Sequence, residues 1–162
     1  MTQKPGYSGL QIGLHWAVAA LVLFNYLFGE TMEEAFDAVH EEGQLASGLG
    51  YQLHVWVGLA VLAMASLRLA LRAIFGGEPA ASSGPALLER GAGAIHALLY
   101  VLMFAVPVLG AAAWYAGIEA AADLHVLAVD GLMILAGLHA GAALFHQFVL
   151  KDHRLLRMMR AR

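Results

Sequence analysis

The chain has 162 residues, of which 60% are hydrophobic and 13% are charged, and its formal net charge at pH 7 is −3. Soluble domains are typically about 45–50% apolar and about 25% charged, so this composition indicates a membrane protein and disfavours a soluble enzyme. No cysteine is present, which excludes disulfides, thiolate catalysis, iron–sulfur clusters and zinc sites built on cysteine. The length predicts one domain, residues 1–162.

Four segments are long and apolar enough to cross a bilayer, because about 20 apolar residues span its hydrocarbon core. Their apolar runs are continuous and do not alternate, which excludes the strands of a membrane β-barrel. The sequence therefore predicts an all-α fold, an integral membrane four-helix bundle. In chain order, the predicted helices cover residues 10–29, 50–75, 91–115 and 124–150.

The first predicted helix contains His15, and we expect it to be retained, because an acidic stretch and not a small-residue cleavage site follows it. The second helix contains His54 near its start and Arg68 in its later turns. Pro107 lies inside the third helix and is expected to kink it. The predicted connections are residues 30–49, 76–90 and 116–123, and a basic tail covers residues 151–162.

All nine lysines and arginines lie on one side of this predicted bundle. By the positive-inside rule, both termini and the second connection are expected to face the cytoplasm, and the other two connections to face outward. The basic tail is expected either to anchor this topology or to lie against anionic headgroups. The basic residues are Lys4, Arg68, Arg72, Arg90, Lys151, Arg154, Arg157, Arg160 and Arg162, and the opposite side carries Glu30, Glu33, Glu34, Asp37, Glu41, Glu42, Glu119 and Asp123.

Four histidines, His15, His54, His125 and His139, lie in the apolar segments, where an ionisable side chain is costly and usually functional. His125 and His139 are four helical turns apart, so both project from nearly one face, roughly 21 Å apart along the axis. His54 and His125 are expected at similar depths near the outer surface of the membrane, so they form one pair. His15 and His139 are expected on the cytoplasmic side and form the other. Imidazole is a standard axial ligand of haem iron. The pattern predicts two haems, each bound by two histidines.

Two further histidines are alternatives to His139 as the partner of His15 in the inner pair. His146 lies two turns beyond His139, and His96 lies at the cytoplasmic end of the third helix, so either could pair with His15. We rank both lower, because a separation of roughly 31 Å between His125 and His146 would place one haem at the hydrocarbon edge. Both could instead contact haem propionates or a quinone headgroup, or be interfacial polar residues.

Arg68 returns to the same helix face as His54, on the cytoplasmic side. A guanidinium suits carboxylates, so Arg68 is a candidate partner for the propionates of the inner haem. The alternative is a snorkelling charge that only sets topology. Zinc or di-iron sites would need carboxylates beside the histidines, and Asp130 is the only one inside the fourth helix.

Glycines flank the candidate ligands and could let a flat macrocycle or a neighbouring helix approach the backbone. Gly137 and Gly141 also fit the small-xxx-small pattern of helix packing, which is the safer interpretation. The flanking glycines are Gly13, Gly58, Gly137 and Gly141.

Three stretches carry a resemblance to a known family: YSGLQIGLHW, the segment from His54 to RLALR, and GLHAGAALFHQFVLKDHRLLRMM. Over nearly its whole length the chain resembles the bacterial cytochrome b561 family, within the group that includes the cytochrome b subunits of hydrogenases and formate dehydrogenases. The resemblance implies four helices in the bacterial inner membrane and electron exchange with the quinone pool. It also implies two non-covalent b haems bound by His15, His54, His125 and His139.

Some positions depart from the family pattern. Gly9 stands where a basic residue is expected, and Leu124 and Val126 replace an aromatic and an acidic residue around His125. Asp130 replaces an amide or a small residue. These positions bear on the choice of electron donor or acceptor and not on haem binding.

The leading hypothesis is electron transfer between quinone or quinol and a redox partner at the outer face. The acidic outer face favours a basic protein, such as a periplasmic c-type cytochrome, over superoxide as that partner. The alternatives are a haem-bearing membrane anchor of a larger dehydrogenase, a superoxide:quinone oxidoreductase, and, least favoured, a proton or metal transporter that uses histidines and Asp130. Whether the chain is an enzyme is left open, and no feature indicates nucleic-acid binding.

Overall fold

The computed structural model describes residues 7–40, 43, 45–46, 48–75, 86–151 and 155–159, without the side chains of residues 86–89 and 157. Within these residues the chain is helical and has no strand, which confirms the predicted all-α class. The helices are α1 (Gly9–Leu27), α2 (Glu30–His40), α3 (Leu49–Phe75), α4 (Ala86–Ala116) and α5 (Glu119–Phe148), followed by a 3-10 turn, Leu155–Met158.

Four of these helices are long and apolar enough to cross a membrane: α1, α3, α5 and the Arg90–Ala116 part of α4. Large apolar side chains cover their outer surfaces, and Trp56, for example, is 69% exposed. So extensive an apolar surface is suited to lipid and not to water. The predicted membrane bundle of four spanning helices is thereby confirmed.

Local signals explain where α1 begins. Ser8 caps the helix, since its hydroxyl accepts from the Gln11 backbone N–H at 3.2 Å, while the Gln11 side chain accepts from the Ser8 N–H at 3.0 Å. This capping box satisfies two N–H groups that would otherwise lack partners. It sets the start of α1 at Gly9 and places His15 in the second turn.

The connection predicted over residues 30–49 contains a helix, α2, that the prediction lacked. Its acidic first turn and the histidine in its last turn both suit the helix dipole. Gly50 lets α2 lie against α3, because a Cβ at Gly50 would fall 2.6 Å from the Thr31 Cβ. At the other end of α2, His40 stacks on Phe36 with centroids 4.2 Å apart and meets Trp114 of α4 at 6.1 Å.

The connection predicted over residues 116–123 is much shorter in the structure. Only Gly117 and Ile118 separate α4 from α5. Gly117 has a φ of +64°, the left-handed conformation that commonly ends helices, and its N–H donates to the Ala113 carbonyl at 3.1 Å. The fourth span therefore begins at Glu119 and ends at Phe148, not at the predicted 124 and 150.

Other predicted segments lie partly or wholly outside the described residues. The second connection is described only from residue 86, where α4 has already begun, and the basic tail only at residues 151 and 155–159. Pro107 lies inside α4, which continues as a helix on both sides of it.

Helix α1 packs on α3, α3 on α4, and α4 on α5. Two hydrogen bonds show which helix ends meet: Trp16 Nε1 donates to the Met158 carbonyl at 2.8 Å, and Asn25 Nδ2 donates to the His54 carbonyl at 3.0 Å. We name these two ends of the bundle by their charge. The basic end carries Arg68, Arg72, Arg90 and Lys151, and the acidic end carries Glu30, Glu33, Glu34, Asp37, Glu119 and Asp123.

The middle of the bundle is apolar. Its buried centre consists of small and medium side chains from α1, α3, α4 and α5, and the described residues include no buried polar or charged residue. This centre separates the polar groups of the basic end from those of the acidic end. Its members are Val18, Val61, Ala65, Met103 and Leu132.

Candidate functional site

One histidine pair lies toward the acidic end. His54 of α3 and His125 of α5 face each other with ring centroids 6.1 Å apart and ring planes at 66°. The His54 Nδ1 is buried and has no hydrogen-bond partner among the described residues. Asn25 donates to the His54 carbonyl, and its own Oδ1 is buried without a partner in the described part of the chain.

The His125 ring rests against the backbone of α4. Its Nδ1 lies 2.8 Å from the Val106 carbonyl oxygen. A Cβ built on Gly110 would fall 3.0 Å from both Cε1 and Nδ1 of this ring, so the ring occupies the space that a side chain there would need.

A second histidine pair lies toward the basic end. His15 of α1 and His139 of α5 have ring centroids 6.2 Å apart and ring planes at 71°. Trp16 meets the edge of the His15 ring at 5.3 Å. The His15 Nδ1 is buried, and no described residue provides it with a hydrogen-bond partner. The pairing predicted from depth and spacing matches the ring contacts at both ends.

His96 is a third histidine at the basic end. Its ring centroid lies only 4.9 Å from that of His139. His146 lies further along α5, against Phe145 at 6.4 Å. The structure therefore brings His96, but not His146, into ring contact with the His15–His139 pair.

Arg68 lies near His15, His96 and His139. Its guanidinium carbon stands 5.9 Å from the centroid of the Tyr100 ring, within the range of a cation–π contact. Arg68 also lines a small pocket at the basic end. The other lining residues are Tyr7, Gln11, Arg72, Tyr100 and Met158.

The ring distances distinguish the candidate ligand pairs. An imidazole nitrogen binds a metal at about 2.0–2.1 Å, so two imidazoles on opposite sides of one metal have centroids about 6.3 Å apart. The separations of 6.1 Å and 6.2 Å fit this arrangement. The 4.9 Å between His96 and His139 is too short for it.

Other metal sites fit the described residues less well. They contain no group of three or more histidine, cysteine, aspartate or glutamate side chains that could hold a metal ion. Asp130, the one carboxylate in the later part of α5, is exposed. Structural zinc and di-iron sites require such a ligand cluster, whereas two axial imidazoles suffice for a haem iron.

Sequence reasoning missed three residues around the acidic-end pair: Asn25, Val106 and Gly110. A polar side chain in the first span was a usable signal for Asn25. The contacts of Val106 and Gly110 are made by backbone atoms that meet a distant ring, and no local sequence pattern reveals them.

The glycines predicted to allow close approach do not all do so. Cβ atoms on Gly13, Gly137 and Gly141 would meet nothing within 4 Å among the described residues. A Cβ on Gly58 would lie 3.7 Å from Asn25 Nδ2, which is an ordinary contact. The small-xxx-small packing suggested for Gly137 and Gly141 is therefore wrong for this bundle, because both positions face outward.

Comparison with known proteins places the chain in a family. The family model for prokaryotic cytochrome b561 matches residues 6–161. The chain is 53% identical, over 162 residues and the full length of both proteins, to "Cytochrome b562" of Cereibacter sphaeroides.

Two more distant relatives also align over nearly their whole length. "Probable superoxide oxidase CybB" of Yersinia pestis is 29% identical, and the alignment covers 94% of this chain and 95% of the relative. "Cytochrome b561 homolog 1" of Escherichia coli K12 is 27% identical, with 94% and 96% covered. The chain therefore belongs to the prokaryotic cytochrome b561 family and is an electron-transfer cytochrome of the membrane that carries b-type haem.

Proposed function

We propose that this protein is a di-haem cytochrome that carries electrons between the membrane quinone pool and a redox protein at its acidic end. The observation that carries the proposal is the presence of two histidine pairs, at opposite ends of the bundle, with nearly equal ring separations of 6.1 Å and 6.2 Å.

The residues present fit two haems, each held by two histidines. His54 and His125 would hold one haem, and His15 and His139 the other, each with one ring from α5 and one from α3 or α1. A b haem, when bound, supplies a one-electron couple between ferric and ferrous iron. The helices hold each pair of rings in place, and the apolar residues between the pairs exclude water from the path.

Arg68 is the candidate partner for the propionates of the haem at the basic end. It lies near both histidines of that pair, and a guanidinium binds carboxylates through two parallel hydrogen bonds. His96 lies in the same cluster, so it remains a candidate for contact with a propionate or a quinone headgroup. His146, further toward the basic end, is a weaker candidate for the same contacts.

We propose that the basic end faces the cytoplasm of a bacterial cell and that both termini lie there, because basic residues are retained on the cytoplasmic side of inner-membrane proteins. The described cations at that end include Arg68, Arg72 and Arg90, whereas the acidic end carries the carboxylates of α2. The acidic end then faces the periplasm.

The charge of the acidic end favours a basic protein as the redox partner. Four of the eleven residues of α2 are glutamate or aspartate, and Glu119 adds a fifth carboxylate at the start of α5. A negative field attracts cationic proteins and repels anions. A soluble c-type cytochrome with a basic docking face is the partner we propose.

Superoxide is the second candidate partner, because one relative, at 29% identity, is named a probable superoxide oxidase. Superoxide is an anion, so the same negative field would slow its approach. A role as membrane anchor of a larger dehydrogenase is the other alternative, and co-purification of a hydrophilic subunit would favour it.

The test uses proteoliposomes that contain the purified protein and a ubiquinol analogue, with an acceptor added outside. We expect reduction of a basic c-type cytochrome, with a rate that falls as salt rises, and much slower reduction of an acidic c-type cytochrome. Equal rates for both acceptors, unaffected by salt, would contradict the proposed partner. No reduction of either acceptor by quinol would contradict the proposed electron path.

A further inference from the structure

A close polar contact joins α4 to the ring of His125. The Nδ1 atom of His125 lies 2.8 Å from the Val106 carbonyl oxygen, and the ring edge covers Gly110, one turn later in α4. We call this contact surface, the backbone of residues 106–110, the α4 seat.

The chemistry of the α4 seat selects one form of the ring. A carbonyl oxygen only accepts hydrogen bonds, so Nδ1 must carry the proton at this contact. In a neutral imidazole the other nitrogen, Nε2, then keeps its lone pair and is the atom free to bind a metal. The Val106 oxygen has a second lone pair, so it can accept from His125 without giving up its helical hydrogen bond.

The partner ring lacks such support. The Nδ1 of His54 is buried, and the described residues offer it no hydrogen-bond partner. Of the two rings at the acidic end, His125 is therefore the one whose orientation and tautomer are set by the protein itself. Hydrogen bonds of this kind orient metal-binding histidines and raise their basicity.

We infer that Val106 and Gly110 are positioning residues that hold His125 with Nε2 directed to the iron of the acidic-end haem. This inference rests on the proposed di-haem function. Gly110 leaves room for the ring, because a Cβ there would lie 3.0 Å from Cε1 and Nδ1 of the ring, closer than about nine in ten real Cβ contacts. With alanine at this position the ring or the helix would have to shift by a few tenths of an ångström, and a larger side chain would displace the ring further from the α4 seat.

The experiment substitutes Gly110 with alanine and with valine and uses Gly93→Ala as the matched control. Gly93 lies in the same helix, and a Cβ there would meet nothing within 4 Å among the described residues. We expect Gly110→Ala to shift the midpoint potential and the low-spin ferric EPR signal of one haem only. Gly110→Val is expected to weaken retention of that haem by about 10–100-fold.

Gly93→Ala is expected to keep the haem content, potentials and EPR signals of the unsubstituted protein. Two fully retained haems with unchanged potentials and EPR signals in Gly110→Val would overturn the inference. If Gly110→Val loses both haems, the substitution has unfolded the protein and says nothing specific about His125. The Gly110→Ala variant then decides: a changed potential and EPR signal of one haem would support the inference, and unchanged values would overturn it.

A second measurement separates this inference from the proposed function. The ¹⁵N–¹H spectrum of the reduced, histidine-labelled protein is expected to show a slowly exchanging Nδ1–H that disappears in His125→Gln. This signal depends on the α4 seat even in a preparation that proves to hold no haem. Its absence from the unsubstituted protein would overturn the inference, whereas absence of haem would overturn the proposed function.

Discussion

The rings of His15 and His139 face each other at 6.2 Å, and so join the first and last spanning helices at the basic end of the bundle. This distance nearly equals the 6.1 Å of the pair at the acidic end, although that pair joins a different helix to α5. The two pairs involve different helices, so nothing in the packing makes their ring distances equal. Nearly equal distances are expected if both pairs bind the same kind of ligand. Helix α5 contributes one ring to each pair, so the proposed binding of both haems depends most on this helix.

Replacing His139 tests the basic-end pair. We expect His139→Ala to bind one haem per chain in place of two, because only one ring of the pair remains to bind the iron. His146→Ala, which removes another histidine of the same helix, is the control and is expected to keep both haems. Haem is measured per polypeptide by the pyridine haemochrome method. Two haems in His139→Ala would show that another residue is the ligand.

The ring of His96 lies 4.9 Å from that of His139, which is too short for both to bind one iron from opposite sides. We therefore expect His96→Ala to retain two haems, both low-spin in the oxidised and the reduced protein. Optical and EPR spectra at low temperature check this. Loss of one haem, or a high-spin signal, would assign a ligand role to His96 and displace His15 from the pair.

Removing the charge of Arg68 tests its role toward the haem at the basic end. A nearby cation stabilises the reduced haem, which carries one electron more, so Arg68→Gln is expected to lower one midpoint potential. The decrease should be on the order of tens of millivolts, as expected for a partly buried charge. Potentiometric titration measures it, and Arg90→Gln at the exposed start of the third span is the control. Equal decreases of the midpoint potential in both variants would mean that Arg68 acts only through the overall charge of the basic end and not through a specific contact with the haem.

The indole of Trp16 attaches the tail to the first span through its hydrogen bond of 2.8 Å to the Met158 carbonyl. Trp16→Phe should lower the free energy of unfolding by about 0.5–1.5 kcal/mol, the usual contribution of one hydrogen bond. Trp56→Phe is the matched control, because no hydrogen bond of the Trp56 indole is formed among the described residues. Thermal unfolding in detergent compares the two, and the account fails here if both substitutions lower stability equally.

The carboxylates of α2 are expected to guide a basic partner. The triple variant Glu33→Gln, Glu34→Gln, Asp37→Asn should slow reduction of a basic c-type cytochrome several-fold at low salt and weaken its salt dependence. Ferricyanide, an anionic acceptor, provides the control, since its reduction should become faster in the same variant. Slower reduction of both acceptors would point to damage to the acidic-end haem and not to lost attraction.

The membrane spans were predictable from sequence because continuous apolar runs are long-range signals that need no knowledge of contacts. Helix α2 was missed because four acidic residues in eleven make its composition polar, although its acidic first turn and final histidine suit a helix. Its contacts with Gly50 and Trp114, which add to those local signals, could not be read from the sequence. The break between α4 and α5 was drawn too long, because the charges of Glu119 and Asp123 suggested a loop where they begin a helix.

The histidine pairs followed from spacing and depth, since helix geometry converts residue number into position along the membrane normal. The closeness of His96 to His139 depends on how α4 rotates against α5, which no periodicity specifies. The contact of His125 with the α4 seat could not be predicted from the sequence, because Val106 contributes a backbone oxygen and Gly110 contributes only the absence of a side chain. Glycines were singled out beside the ligands along the chain, whereas the glycine in contact with a ligand ring lies on another helix.

The most direct test of the account is a reduced-minus-oxidised spectrum of the detergent-purified protein, with haem quantified per polypeptide. Two non-covalent b haems per chain are expected, both low-spin in both redox states, because each iron would have two imidazole ligands. One haem per chain, or two haems of which one is high-spin, would contradict ligation by both histidine pairs.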